Sequence, residues 1–131
     1  KHFNGKLKGL KIGLWGLSFK PGTDDMREAP AITLIDELVA EGAEVVAYDP
    51  VAMNEAKEHY VKDKVAYARD MYDAVIGADA LVLVTEWNEF RILNYKVLAR
   101  LMNQKVLFDG RNIFDPEEAR ENGFVYYGIG R

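Results

Sequence analysis

Apolar positions along the chain follow two spacings that alternate from one end to the other. Short continuous or alternating runs come first at Leu10-Lys11-Ile12-Gly13-Leu14-Trp15. They recur at Val45 to Tyr48, Val65 to Tyr67, Ala80 to Thr85, Val106 to Phe108 and Phe124 to Tyr127. Each is short, β-branched or aromatic, and bounded by turn formers, which reads as a strand. The run Ala80-Leu81-Val82-Leu83-Val84 has no polar interruption, so its strand is buried on both faces and sits centrally.

Between the runs the spacing changes to that of helices. Ile32, Ile35, Leu38 and Val39 form one stripe, with Asp36, Glu37 and Glu41 left for water. Pro30 suits the first position of that helix, because its missing N–H would have had no partner there, and Gly42 suits a left-handed cap. A short charged helix is expected over Met53 to Tyr60, another over Met71 to Ile76 capped by Asp70 and broken by Gly77, and a third from the cap Asn94 through Leu101. Pro116 opens a last helix that ends at Gly123. The alternation predicts an α/β fold: a Rossmann-like, doubly wound, mainly parallel sheet with helices on both faces. No repeat, low-complexity tract or linker divides the chain, so residues 1–131 read as one domain with 1–9 as a lead-in segment.

Composition narrows the chemistry. At 131 residues, 49% hydrophobic and 29% charged, the chain is globular, and its longest apolar run is far short of the ~20 residues of a spanning helix. Seventeen basic residues against 21 acidic ones give a net charge of −4, which argues against nucleic-acid or membrane partners and makes any phosphate contact local. There is no cysteine, and the two histidines, His2 and His59, stand apart. Disulfides, thiolate chemistry, a metal site and a Ser-His-Asp triad are therefore not expected. The first residues lack a signal-peptide pattern, which suits a cytoplasmic setting, and the start at Lys1 suggests an excised piece of something longer.

In an open parallel sheet, ligands bind beyond the carboxyl ends of the strands. The residues placed there are Gly16, Ser18 and Lys20, then Asp49, then Thr85-Glu86-Trp87, then Asp109-Gly110-Arg111. Such a crevice suits a phosphorylated ligand. Gly13-Leu14-Trp15-Gly16 is partly like a dinucleotide turn, but a third glycine is missing and 13 residues separate Gly16 from Pro30. Lys20 and Arg27 stand in that lengthened loop, where side chains would have to replace the backbone cradle. Lys20 also reads as an ordinary loop lysine, and Arg27 as a member of an ion-pair cluster with Asp24, Asp25 and Glu28. Those three carboxylates would repel a phosphate, so the anion belongs on the Lys20 side. Asp49 reads either as a turn residue or as a ribose-hydroxyl acceptor. Trp87 and Phe90 read as core or interface aromatics. Arg111, held at a strand end, is the best single anion ligand.

The string from Gly16 to Pro30, with its Phe-Lys-Pro-Gly-Thr-Asp-Asp-Met-Arg segment, closely resembles the opening of the C-terminal domain of the nucleotide-sugar dehydrogenases. Ala47-Tyr48-Asp49-Pro50, Thr85-Glu86-Trp87-Asn88-Glu89-Phe90 and Phe108-Asp109-Gly110-Arg111-Asn112 extend the resemblance over nearly the whole chain, and the Thr-Glu-Trp segment leans toward the UDP-glucose 6-dehydrogenase branch. The resemblance implies a parent enzyme that oxidises UDP-glucose to UDP-glucuronate in two hydride transfers to NAD, through a thiohemiacetal on a cysteine. That cysteine, with its proton-handling lysine and aspartate, would belong to a central domain, and most of the NAD to an N-terminal Rossmann domain, both absent from this chain.

On this resemblance the fragment is catalytically silent and holds the UDP half of the substrate. Lys20 and Arg111 are implied as substrate ligands and Arg27 as a residue that crosses the cleft to NAD, with no catalytic and no metal-binding residue in this chain. A homo-oligomeric parent is implied as well. Three other readings stand beside it: a UDP-N-acetylmannosamine or GDP-mannose dehydrogenase domain, a freestanding nucleotide-sensing module, and an assembly surface built on Trp87, Phe90 and Tyr95.

Overall fold

The computed structural model describes residues 7–128, so His2 and the first part of the lead-in lie outside the described residues. Six strands form one all-parallel sheet in the order β3-β2-β1-β4-β5-β6. They are β1 (Lys11–Trp15), β2 (Glu44–Tyr48), β3 (Ala66–Tyr67), β4 (Ala80–Leu83), β5 (Val106–Asp109) and β6 (Val125–Gly128). The expected α/β class and parallel sheet are therefore present. β1 and β4 are neighbours although the chain goes to the far edge of the sheet between them. That adjacency is the topological switch point, where doubly wound folds hold their ligands.

Two apolar clusters sandwich the sheet. One face packs Ile12, Leu14, Val45 and Ala47 against helix α1 (Pro30–Ala40), through Ala31 and Ile35, and against Ala56 and Val61. Those last residues follow α2 (Met53–Glu55), which continues as a π-helical turn over Ala56–Tyr60 rather than the single α-helix expected. The other face packs Trp15, Leu81, Leu83 and Leu107 against Phe90 of α3 (Asn88–Arg91), Tyr95 and Leu98 of α4 (Tyr95–Leu101) and Ala119 of α5 (Pro116–Glu121). Asn94 caps α4 as expected, its side chain accepting from the N–H of Val97 at 3.2 Å. The turn of helix α3 has no counterpart in the sequence reading.

The expected helix over Met71 to Ile76 shrinks to one 3₁₀ turn at Asp73–Val75. Asp70 accepts from the N–H of Asp73 at 2.8 Å, and Asp73 accepts from the N–H of Arg69 at 2.9 Å. Aspartates that bind nearby backbone donors compete with helix continuation. The turn also presses on the sheet, since a Cβ at Gly13 would lie 2.8 Å from the Ala74 carbonyl oxygen.

At the amino ends of the strands Asp79 acts as a clasp. Its carboxylate accepts from the N–H of Lys11 at 3.0 Å and from the side-chain amides of Asn103 at 2.6 Å and Gln104 at 3.1 Å. The ligand-bearing rim is the opposite one, at the carboxyl ends.

Candidate nucleotide-binding site

The rim of the switch point is assembled from four segments, one after each of β1, β2, β4 and β5. β1 leaves through Gly16, whose φ of +102° and position against Thr85 admit no side chain: a Cβ there would lie 2.4 Å from the Thr85 nitrogen. Thr85 donates its hydroxyl to the Ser18 carbonyl at 2.7 Å, and Ser18 donates its own to the Lys20 carbonyl at 2.9 Å. The N–H of Phe19 donates to the Asp25 carbonyl at 2.7 Å, and Leu17, Met26 and Ala29 anchor the loop in the core. The long 16–29 segment is thus a folded loop pinned at several points.

Asp49, at the end of β2, is fully buried. Its Oδ2 accepts from Leu17 N–H at 2.7 Å, Ser18 N–H at 3.1 Å and the Trp87 indole at 3.0 Å. Its Oδ1 accepts from Val51 N–H at 2.9 Å and Ala52 N–H at 2.7 Å. Both oxygens are engaged, so the ribose-acceptor reading gives way to a structural one. In a dinucleotide-binding fold the acid at the end of the second strand takes the ribose hydroxyl. Here neither that acceptor nor the glycine-rich turn is available, and the domain's own crevice does not fit NAD in that mode.

Arg111 enters from the other side of the switch point. Gly110 brings the backbone close to β4, its N–H donating to the Leu83 carbonyl at 2.9 Å, and a Cβ at Gly110 would lie 2.6 Å from that oxygen. Asp109 is buried and accepts from Arg111 N–H at 3.2 Å, Phe114 N–H at 2.9 Å and the Tyr126 hydroxyl at 2.8 Å. The guanidinium of Arg111 donates from Nε to the Val84 carbonyl at 3.0 Å and from Nη2 to the Phe19 carbonyl at 3.5 Å. Its Nε also stands 3.3 Å from Oε1 of Glu86. That oxygen is buried and accepts no hydrogen bond among the described residues.

The sequence-selected cations are distributed as follows. Arg111 reaches across to the carbonyl of Phe19, the residue before Lys20, so the guanidinium and the lysine loop share one rim. Lys20 itself is exposed. Arg27 is 80% exposed and grips Asp25 at 2.9 Å. That guanidinium is the main reason the Asp25 carboxyl falls to about 2, with Lys20 a smaller contributor. Beside the same rim the Tyr48 hydroxyl donates to Glu89 at 3.2 Å. Burial, with Glu89 second, pushes its pKa up to about 12, so it stays protonated at neutral pH.

The carbonyls of Val84 and Phe19 are site elements that sequence reading did not single out, while Thr85, placed at the rim by its position after the most apolar strand, holds the Ser18 carbonyl there. The assembly-surface reading is corrected: Phe90 and Tyr95 lie in the core, and Trp87 is half-buried with its N–H on Asp49. No group of metal-ligating side chains and no helix long and apolar enough to cross a membrane occurs among the described residues.

Comparisons with known proteins identify the family. Residues 13–116 match the profile of the UDP-glucose/GDP-mannose dehydrogenase family, UDP binding domain. A UDP-glucose 6-dehydrogenase of Pseudomonas aeruginosa is 47% identical, the match covering 98% of this chain and 29% of that protein. One from Rhizobium meliloti is 46% identical, covering 97% of this chain and 29% of that protein. Among solved structures, a UDP-glucose dehydrogenase from Pyrobaculum islandicum superposes with a TM-score of 0.79 at 32% identity over 98% of this chain and 27% of that one. An NDP-N-acetyl-D-galactosaminuronic acid dehydrogenase from Methanosarcina mazei gives 0.84 at 30% identity, covering 96% of this chain and 26% of that one. The chain thus spans about 29% of the length of the curated relatives it matches, and it belongs to the UDP-glucose/GDP-mannose dehydrogenase family as that family's UDP binding domain.

Proposed function

We propose that the chain is the substrate-binding C-terminal part of an NAD-dependent UDP-glucose 6-dehydrogenase, a homo-oligomeric cytoplasmic enzyme that converts UDP-glucose to UDP-glucuronate. The observation that carries this reading is the reach of Arg111 across the switch point to the Phe19 carbonyl, beside Lys20. A diphosphate seated at that rim meets the outer edge of a guanidinium whose Nε is already tied to Val84, so little side-chain freedom is lost on binding. Lys20 supplies a second, mobile charge from the opposite lip. Each charge-assisted hydrogen bond contributes roughly 1.5–3 kcal/mol.

Binding energy of this kind, remote from the reacting carbon, orients the sugar for chemistry on the missing part of the polypeptide. NAD, when bound there, would supply the hydride acceptor. This chain has no cysteine and offers no nucleophile for the oxidation, so alone it is expected to bind and not to turn over. Arg27, exposed on the loop, is the residue we assign to the cofactor across the cleft. Identities of 47% and 46% to UDP-glucose 6-dehydrogenases favour UDP-glucose over UDP-N-acetylmannosamine or GDP-mannose.

The test is calorimetry of UDP and UDP-glucose on the full-length enzyme. Arg111→Ala and Lys20→Ala should each weaken both ligands by roughly 10- to 150-fold, the equivalent of one such hydrogen bond. Unchanged affinity in both variants would overturn the assignment.

A further inference from the structure

Glu86 faces Arg111 as a charge and not as a hydrogen-bond acceptor. The Arg111 Nε donates to the Val84 carbonyl at 3.0 Å and Nη2 to the Phe19 carbonyl at 3.5 Å, while Oε1 of Glu86 stands 3.3 Å from the same Nε. That oxygen is buried and accepts no hydrogen bond among the described residues. A buried acceptor in this state calls for a reason other than hydrogen bonding. Stability is a weak one, since the two side chains are 29% and 36% exposed and ion pairs near water contribute little. The carbonyls of Val84 and Phe19 already hold the guanidinium in place. What Glu86 adds is negative charge on the stem side of the cation that the nucleotide reading gives to the diphosphate.

Other carboxylates of the rim are engaged elsewhere. Asp25 is paired with Arg27 at 2.9 Å. Asp49 accepts from backbone N–H groups and the Trp87 indole. Asp109 accepts from the N–H groups of Arg111 and Phe114 and from the Tyr126 hydroxyl. Glu86 is the carboxylate that the structure pairs with the Arg111 guanidinium.

We propose that Glu86 is a specificity-determining residue that selects ligands by charge. It offsets part of the positive potential of Arg111, so that the rim takes a diphosphate esterified at both ends, as in a nucleotide sugar, in preference to a free nucleoside diphosphate. The inference rests on the assignment of Arg111 to the diphosphate. Free UDP offers the rim the same nucleoside and the same phosphates as UDP-glucose, so those contacts do not separate the two. Charge does: a diester phosphate carries one negative charge, and a free terminal phosphate carries about two above its second pKa of about 6. A phosphate on the outer edge of Arg111 lies about 7 Å from Oε1, the width of the guanidinium plus a contact on either side. At that distance one added charge is disfavoured by roughly fivefold in affinity, between the limits of bulk water and of a protein surface.

The test is calorimetry of UDP and UDP-glucose on the full-length enzyme at about pH 8, where the terminal phosphate is fully charged. Glu86→Gln should tighten both ligands and tighten UDP by roughly fivefold more, eroding the preference for the sugar nucleotide. Glu86→Met, which has no hydrogen-bonding group, should give the same shift, and Glu86→Asp, which keeps the charge, should retain most of the original preference. An unchanged ratio in both neutral variants would overturn the proposal. So would equal weakening of both ligands, which would make Glu86 a support for Arg111. A loss confined to UDP-glucose would make it a sugar ligand, and unfolding of both neutral variants would make it a structural residue; either also overturns the proposal. Arg111→Ala separates the two levels. If it weakens UDP-glucose while the neutral variants leave the ratio alone, the role of Glu86 fails and the nucleotide assignment stands; if it has no effect, both fail.

Discussion

The Trp87 indole donates to Oδ2 of Asp49 at 3.0 Å, and so joins the segment after β4 to the end of β2 across the exit of β1, which lies between them in the sheet. The same oxygen takes the first two N–H groups of the loop that carries Lys20. One buried carboxylate therefore sets the relative positions of three of the four rim segments. A buried charge of this kind is stable only while its donors are in place, and removing either side leaves the other unsatisfied.

Asp49→Ala should accordingly destabilise the domain by about 3–5 kcal/mol, the range for breaking a buried charged network, and lower the urea midpoint. Trp87→Phe removes one donor of the five and should cost about 1–2 kcal/mol. Equal effects of the two variants would show that the carboxylate does not organise the rim.

Gly16→Ala places a methyl 2.4 Å from the Thr85 nitrogen at a φ of +102°. Both the close approach and the backbone angle oppose it, and neither obstacle is the movable end of a flexible side chain. The unfolding free energy should drop by more than about 3 kcal/mol. Gly22→Ala, where φ is +86° but nothing lies within 4 Å, is the control and should cost only about 1 kcal/mol. Chemical denaturation of the pair separates crowding from backbone strain.

Much of this was open to sequence reading because it depends on local patterns. The uninterrupted run at Ala80 to Val84 and the stripe of Ile32, Ile35, Leu38 and Val39 place a central strand and its helix without reference to the rest of the molecule. The shared rim was legible for another reason: strand ends in a parallel sheet share one edge, and the structure brings Arg111 to the Phe19 carbonyl in the loop that carries Lys20. Asp49 was not legible in the same way. Its five donors come from three segments, and only tertiary structure shows that they converge. The helix expected over Met71 to Ile76 failed because Asp70 and Asp73 bind nearby N–H groups in the folded turn, a competition that apolar spacing does not register.

Asp79 predicts a pH dependence at the opposite rim. Burial acts to raise its pKa, but hydrogen bonds from Lys11, Asn103 and Gln104 outweigh burial and hold it below the ordinary 3.8. A carboxyl depressed in the folded state stabilises above its unfolded pKa, and that contribution fades as pH falls through the folded value. Asp79→Ala should therefore cost about 1.5–3 kcal/mol at pH 7. The gap between wild type and variant should narrow below about pH 4. Thermal melts of both proteins across that range check the sign.

The pairing of Arg27 with Asp25 sets the last expectation. Asp25 titrates at about 2 chiefly because Arg27 donates to it, so the pair is intact throughout the neutral range and dissolves only in strong acid. Removing the guanidinium by Arg27→Ala should let the Asp25 carboxyl move back toward 3.8, which carboxyl-carbon NMR reads directly. In the full-length enzyme the same variant separates two roles. If Arg27 meets the cofactor while Lys20 and Arg111 hold the diphosphate, Arg27→Ala raises the KM for NAD and leaves UDP affinity within about twofold, because additivity holds for groups without shared partners. A parallel loss of UDP affinity would instead mean that Asp25 and Arg27 shape the loop on which Lys20 is carried, and would move Arg27 from cofactor contact to loop support.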